Sequence, residues 1–483
     1  MLKHIEDGTA AARRLAEGAA LRRTLDVDDP GDWLALDAGV RETHWSLPPL
    51  LPEWERAAGA FADAPPLDES RQALALCHRN GRIRQEAVHR SPSYPALLPL
   101  IVVRCTDWVG PVRQSARQVL RESLDAEAAA ALASLVLRLG RRDRGDFAVG
   151  LLDEVLREMP RERFTPLLAA PDRAVRRFAH RLAAERGLLD AVELARAAVR
   201  DEDAVVQDLC ATAALTALGA EAAHEEESHK ETAYDDVLPL LLSARNPRTR
   251  SAGVTGLRRA GRTRQAEPFL ADRSALVRAC ARYVVRQAGG DPLAWYRQRC
   301  SASGEAGPPP GVVRGLAECG DRADAGVLRA LLAHPVPGVR AGAVAGLHTL
   351  DCADTGRLRP LLDDPAPRVV RETTTALLPS AKDLPADWLL ARTGPERPRH
   401  VRVGAFRLLE AAGGITALRA AVGLLDDPDV KLRDWAGQCV QGWHPSADTR
   451  LFDPEVGELL DRGRHLFSDY VLRLRKREAG IGD

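Results

Sequence analysis

Arginine recurs behind an aliphatic residue along most of this chain. The pairs Ile83–Arg84, Val112–Arg113, Val175–Arg176, Val277–Arg278, Val339–Arg340, Val370–Arg371, Val401–Arg402 and Leu432–Arg433 carry it, and Val206–Gln207 and Thr249–Arg250 are degenerate members. Arg340, Arg371, Arg402 and Arg433 stand 31 residues apart, as do Arg176 and Gln207. A guanidinium is a planar fork of five donors that is always charged, so a periodic row of them could line a groove and meet phosphates or carboxylates. The same fork could instead tie the turn before it to the acids and carbonyls nearby. Repetition favours the second use, because a ligand needs one site and a fold needs one tie per repeat. We therefore expect Arg84, Arg113, Arg176, Arg278, Arg340, Arg371, Arg402 and Arg433 to form a structural ladder. On that reading Arg371→Ala strands a buried acceptor and costs roughly 1–3 kcal/mol.

The elements that must position such a ladder are legible around it. Four residues before the anchor stand Asn80, Asp172, Asp203, Asn246, Ser274 and Asp429, all good helix N-caps, while Pro367 and Pro398 suit a helix start. Three residues after it stand Ala87, Ala116, Ala179, Cys210, Gly253, Ala281, Ala343, Thr374, Ala405 and Ala436, small side chains that let a helix pack closely. Six or seven after come Leu120, Leu182, Leu257, Val285, Leu347, Leu378, Leu409 and Val440, which close an apolar stripe at helical spacing. Amphipathic segments such as TGRLRPLLDD and ITALRAAVGLLDD precede the turns. Each unit is thus helix, short polar turn, helix, and one such hairpin cannot bury both apolar faces alone. The interval from Arg113 to Arg176 leaves room for an unmarked repeat at 127–158.

The pattern D-x-x-V-R-x-x-A, as in Asp172–Ala179, and its near form DDPAPRVVRETT resemble HEAT repeats over about residues 67–443. The period of about 31 is similar to short HEAT-like, phycobilisome-lyase-type repeats. The resemblance implies an all-α fold, a right-handed α-solenoid of antiparallel helix hairpins, about eleven or twelve in number. It says little of activity, since such arrays serve as scaffolds, adaptors, transport receptors, lyases and a few enzymes. Residues 1–66, with Trp33, Trp45 and Trp54, read as an atypical helical cap. Residues 446–483 read as one capping helix (EVGELLDRGRHLFSDYVLRLRKR) and a tail. An acidic insertion at 221–236 and a Pro/Gly-rich loop at 301–311 interrupt the array.

One stretch departs from the repeat in charge. Residues 245–299 hold thirteen arginines against Glu267, Asp272 and Asp291. Arg245, Arg248, Arg250, Arg258, Arg259, Arg262, Arg264 and Arg273 are the candidate interaction patch, for nucleic acid or an acidic partner. Other constellations carry less. CTDWVGPVRQSA at 105–116 superficially resembles the HEAT-like alkylation-repair DNA glycosylases, but Val112 and Arg113 stand where their catalytic aspartate is wanted. The HEEESH run with His224 and His229 matches no zinc spacing, and H-E occurs only once where a HEAT-type di-iron site needs several. Trp435 and Trp443, eight apart, read as packing. There is no phosphate-binding glycine loop, nucleophile elbow or paired-carboxylate motif, so no catalytic, cofactor-binding or metal-ligating residue is assigned and no cofactor is expected.

Composition agrees with these expectations. The 483 residues include 68 basic and 68 acidic side chains, a balance unlike that of a dedicated nucleic-acid binder. Aromatics are only 4%, and alanine, leucine and arginine abound, as a helical chain prefers. Eight cysteines without a C-x-x-C pair read as buried thiols in a reducing compartment. The longest apolar run, ALLPLIVV at 96–103, is too short to cross a bilayer, and the N-terminal MLKHIEDGTAAARR lacks a signal peptide's apolar core. The expectation is a cytoplasmic, non-enzymatic scaffold or adaptor that binds protein partners on the concave face of a solenoid. Nucleic-acid binding through 245–299 is the alternative, and a glycosylase-like or bilin-lyase-like enzyme a remote third.

Overall fold

The computed structural model describes residues 2–42, 51–56, 66–221, 227–301, 307–445 and 453–481. Every regular element among them is helical. The chain divides into two compact units, Met1–Thr249 and Arg250–Asp483.

In the first unit, Leu2–Ala16 packs against Pro30–Glu42 at a glycine crossing. A Cβ on Gly8 would lie 1.9 Å from the Ala35 carbonyl oxygen, and one on Gly39 would lie 2.2 Å from the Gly8 carbonyl carbon. Only glycine lets the two backbones approach this closely. Trp33, on the second of these helices, and Trp54, under the Arg90 guanidinium, are buried, and Trp45 lies outside the described residues.

Helix hairpins follow. Glu69–Cys77 pairs with Gly81–Arg90, Leu98–Arg104 with Gly110–Ser123, and Ala126–Leu139 with Asp146–Glu158. The last of these is the repeat without an arginine anchor. Arg161–Leu168 then pairs with Arg173–Glu185, and Ala191–Arg200 with Ala204–Glu221.

The second unit repeats the plan. Thr263–Ala271 lies against Ala275–Gln287, Pro292–Ser301 against Pro310–Cys319, and Ala325–Ala330 against Pro337–Thr349. Thr355–Leu358 with Arg359–Asp363 precedes Pro367–Leu377, Ala386–Leu390 lies against Arg399–Ala412, and Gly414–Gly423 against Val430–Gly442. First helices here are short and partly 3₁₀. Prolines such as Pro268, Pro360 and Pro379 remove a donor and clash with the preceding turn. The fold class is an all-α array of antiparallel HEAT-like hairpins within each unit.

The positions that define a repeat do their expected packing. All ten small residues three after the anchor, from Ala87 to Ala436, are buried. Asn80, Asp172, Asp203, Asn246 and Asp429 each accept an amide of the following helical turn. Ser274 differs, making no side-chain cap. The single capping helix expected after residue 453 is instead two, Pro454–Arg462 and Asp469–Glu478. Gly463 ends the first, and Ser468 opens the second by accepting from the Val471 amide. No helix among the described residues is long and apolar enough to cross a membrane.

Candidate functional site

The ladder arginines make one recurring set of bonds, and the exceptions to it define the site. Arg84 donates from Nη1 to the His78 carbonyl (2.7 Å) and from Nε and Nη2 to both oxygens of Asp107 (2.9 Å each). The carbonyl belongs to its own turn and the carboxylate to the next. Arg340 repeats this with the His334 carbonyl (2.7 Å) and both oxygens of Asp364 (2.8 Å each). Arg176 reaches the Ala170 carbonyl and Asp201. Arg250 pairs with Asp272, and Arg402 with Asp427. Arg278 keeps the carbonyl of Asp272 but takes Glu318, on the next second helix, as its acid. Arg113 and Arg433 reach only carbonyls of their own turns, and the degenerate Gln207 reaches the Asp201 carbonyl.

Asp107, Asp201, Asp272, Asp364 and Asp427 were not singled out by the sequence reading. Each also accepts the amide two residues on, which locks its turn. Their signal was an aspartate six residues before the next anchor, seven for Asp364. Burial alone would push Asp107, Asp272 and Asp364 upward. The arginine and backbone-amide bonds overcome it and hold all three below the ordinary carboxylate range.

Arg371 is not part of this ladder. The N-cap lies four residues before Arg84, Arg176, Arg340, Arg402 and Arg433, but Ala366 caps the Pro367 helix five residues before Arg371. Val370 therefore occupies the ladder position, and Arg371 is turned about 100° around the helix away from it. The turn ahead offers no aspartate either, since its one acid, Glu396, is exposed beside Arg397. The Arg371 side chain is 67% exposed, and its contact is Glu372 at 3.4 Å. Arg314 shows the same offset, with Pro309 as N-cap and Val313 buried at the ladder position. It donates 3.0 Å to the same Glu372, 58 residues on. The intervening helix, PGVRAGAVAGLHT, leaves room by its small residues: a Cβ on Gly342 would lie 3.3 Å from Val313.

Beside Arg371 lies a cavity of about 760 Å³ between two second helices. From Pro367–Leu377 come Pro367, Arg368, Arg371 and Thr374; from Arg399–Ala412 come Arg399, His400, Val403, Gly404 and Arg407. The floor is narrow because Gly404 sits over Thr374, where a Cβ would come within 2.7 Å of the hydroxyl. The rim is four exposed guanidiniums, those of Arg368, Arg371, Arg399 and Arg407. Arg399 pairs with Asp429, and His400 meets the Asp364 carbonyl at 3.2 Å. Arg368 and Arg407 have no hydrogen bond or ion pair among the described residues. The cavity takes in the first turns of both helices, neither with a side-chain cap, so two positive helix ends add to its lining.

The candidate patch of the sequence reading is distributed differently. Arg245 and Arg248 fall in the first unit and the other six residues in the second. Arg250 is a ladder residue, Arg248 pairs with Asp208, and Arg258 stacks on Tyr283. Arg259, Arg262 and Arg273 are engaged within the fold, and Arg264 lies in the turn-rich segment Thr263–Ala271. Asp208, Glu318 and Asp324, which pair with Arg248, Arg278, Arg282 and Arg297, come from outside the 245–299 stretch. Counting charge within the stretch overstated its surplus for that reason. His224 and the side chain of His229 lie outside the described residues, as do parts of the 221–236 insertion and the 301–311 loop. Among the described residues no group of three metal-ligating side chains comes together. Trp108 is half-exposed with Arg41 and Arg84 over its ring, while Asp107 beside it is consumed by Arg84 and Arg104. Trp435 packs edge-on against Phe406, and Trp443 donates to the Gly414 carbonyl.

Each unit is an all-α array of antiparallel HEAT-like hairpins, and the Arg250–Asp483 unit carries a basic cavity on its second helices. No protein-family model matches it, and no curated protein does. Solved structures do. It is similar to a Kap121p crystal structure at 13% identity, covering 90% of this chain and 53% of that one with a TM-score of 0.30. An importin beta crystal structure matches at 14% identity, covering 96% and 64%, with a TM-score of 0.31. A Kap95p structure, in which Kap95p binding induces the switch loops of RanGDP to adopt the GTP-bound conformation, matches at 12% identity, covering 98% and 71%, with a TM-score of 0.40. The chain spans about half the length of the Kap121p chain it matches.

Proposed function

We propose that this protein is a non-enzymatic interaction scaffold or adaptor built from short HEAT-like repeats of about 31 residues. It holds protein partners on the face formed by its second helices. The observation that carries the reading is the unequal use of arginine. Most anchor guanidiniums are consumed inside the fold, whereas Arg368, Arg371, Arg399 and Arg407 are gathered, exposed, around one cavity. Surface charge gathered at one place steers and selects partners. The eight free cysteines suit a reducing compartment, and we place the protein in the cytoplasm.

Affinity purification of the tagged full chain from its native cells, with cross-linking and mass spectrometry, tests the reading. It expects one or a few proteins at near-stoichiometric yield, cross-linked to helices of the hairpin array. Recovery of nucleic acid alone, or turnover of a small molecule, would overturn it.

A further inference from the structure

We infer that the cavity between the Pro367–Leu377 and Arg399–Ala412 helices binds a short, carboxylate-rich stretch of a partner protein. The inference rests on the scaffold reading and names the chemistry of what that face holds. Three features of the molecule support it.

The first is an unbalanced local charge. Four guanidiniums rim the cavity, and the carboxylates that touch them are Glu372, shared by Arg314 and Arg371, and Asp429, on Arg399. Burial, and then the like charge of Arg368, with those of Arg278 and Arg371 behind it, hold the Arg314 guanidinium below its usual range despite Glu372. The Nε of Arg314 is also buried without a hydrogen-bond partner. Cations crowd one another here, and Arg368 and Arg407 have no acid within reach among the described residues. An incoming anion relieves that crowding.

The second is the origin of the crowding. Arg314 and Arg371 both stand one residue past the ladder position, so both leave the interior tie and meet at Glu372, Arg371 exposed and Arg314 half-buried. The offset costs the fold two ties and gives the rim one cation, Arg371, with Arg314 half-buried behind it. Without it, this face would carry only Arg368, Arg399 and Arg407.

The third is shape. Arg399, Val403 and Arg407 follow one another at successive turns, and the last lies about 12 Å along the helix from the first. Arg368, Arg371 and Thr374 run likewise on the facing helix. Two short parallel rows of donors, with Val403, Gly404 and Thr374 between them, suit side chains presented along a few residues of peptide. A nucleic acid carries charge along a continuous backbone and is held by a long basic track. The anchor arginines that would extend such a track are committed to Asp272, Asp364, Glu318 and Asp427.

Binding of a fluorescein-labelled octaglutamate peptide to the full chain, followed by anisotropy, tests this. The double variant Arg368→Glu, Arg407→Glu removes two cations that hold nothing else in place, and circular dichroism verifies its fold. A second variant, Arg22→Glu, Arg23→Glu, makes the same change of net charge in the other unit. We expect peptide binding that weakens with added salt and falls about tenfold or more in the cavity variant but little in the control. Equal loss in both variants, or none in either, overturns the inference. So does an eight-nucleotide oligothymidine that binds the cavity more tightly than the peptide. The scaffold reading is separable: if the native partner still co-purifies with the cavity variant, the scaffold stands and the acidic-segment inference falls. If no protein co-purifies with the unaltered chain, the scaffold reading fails.

Discussion

Arg340 and Arg371 occupy equivalent places in the sequence and unlike places in the structure, so a pair of alanine substitutions separates position from environment. Arg340 makes two bonds to Asp364, at 2.8 Å each, and two to the carbonyls of His334 and Pro335, at 2.7 and 2.9 Å. The two side chains are 13% and 6% exposed. Arg340→Ala leaves the Asp364 carboxylate with the Ala366 amide and removes both donors from the turn. Loss of one partner of a buried pair costs about 3–5 kcal/mol, and the slight exposure here favours the lower end, about 3 kcal/mol. For a unit the size of residues 250–483 that corresponds to a melting shift of about 6–12 °C. Arg371→Ala removes one 3.4 Å contact from an exposed side chain and should stay within about 0.5 kcal/mol. This revises the roughly 1–3 kcal/mol that equal spacing implies. Thermal unfolding by circular dichroism measures both, and amide exchange in Pro337–Thr349 and Pro367–Leu377 shows where protection is lost. The double variant Arg340→Ala, Asp364→Ala should be less destabilised than the sum of its singles, because it leaves no unpaired charge. An Arg371→Ala loss as large as that of Arg340→Ala would refute the register argument.

Two further outcomes follow from the same geometry. Asp107, Asp272 and Asp364 sit lower in the folded chain than their unfolded value near 3.9, so each favours folding above that pH, and the benefit disappears as pH falls through the folded values. The urea midpoint should therefore be level with respect to these groups from pH 5 to 8 and drop below about pH 4, and Asp364→Asn should remove part of the drop; an unchanged acid limb in that variant would contradict the assignment. At the glycine crossing, Gly8→Ala places a Cβ against backbone and should cost at least about 2 kcal/mol, whereas Gly150→Ala, which meets open space in a helix, should be neutral or gain up to about 1 kcal/mol. Equal melting temperatures for the two would contradict the close approach.

The hairpin array was legible because it is written redundantly. A cap, an anchor and a small buried residue recur together, and each is fixed by a local requirement of one helix turn packed on its neighbour. Even the repeat without an anchor showed through its two helical patterns. The ladder's acids were legible in principle and missed, because an aspartate in a turn already has an ordinary explanation as a turn former. Register was harder. Arg340, Arg371 and Arg402 are equally spaced, yet the turn before Arg371, DDPAP, carries its cap one residue early, and spacing between anchors is blind to where a cap falls inside the interval. Because one helical residue is about 100° of rotation, that single step moves a guanidinium from the interior to the surface. The basic cavity was illegible for a related reason. Arg314, Arg368 and Arg399 are remote in sequence, and none stands out in a chain this rich in arginine. Charge counted along a window picked the 245–299 stretch instead, where the compensating acids enter from other hairpins. In a repeat protein the sequence reports what every unit shares, and the repeats that break register are where a surface can differ from the fold that carries it. Arg314 and Arg371 are two such breaks meeting at one glutamate, which is why the cavity beside them is the place to look for a ligand.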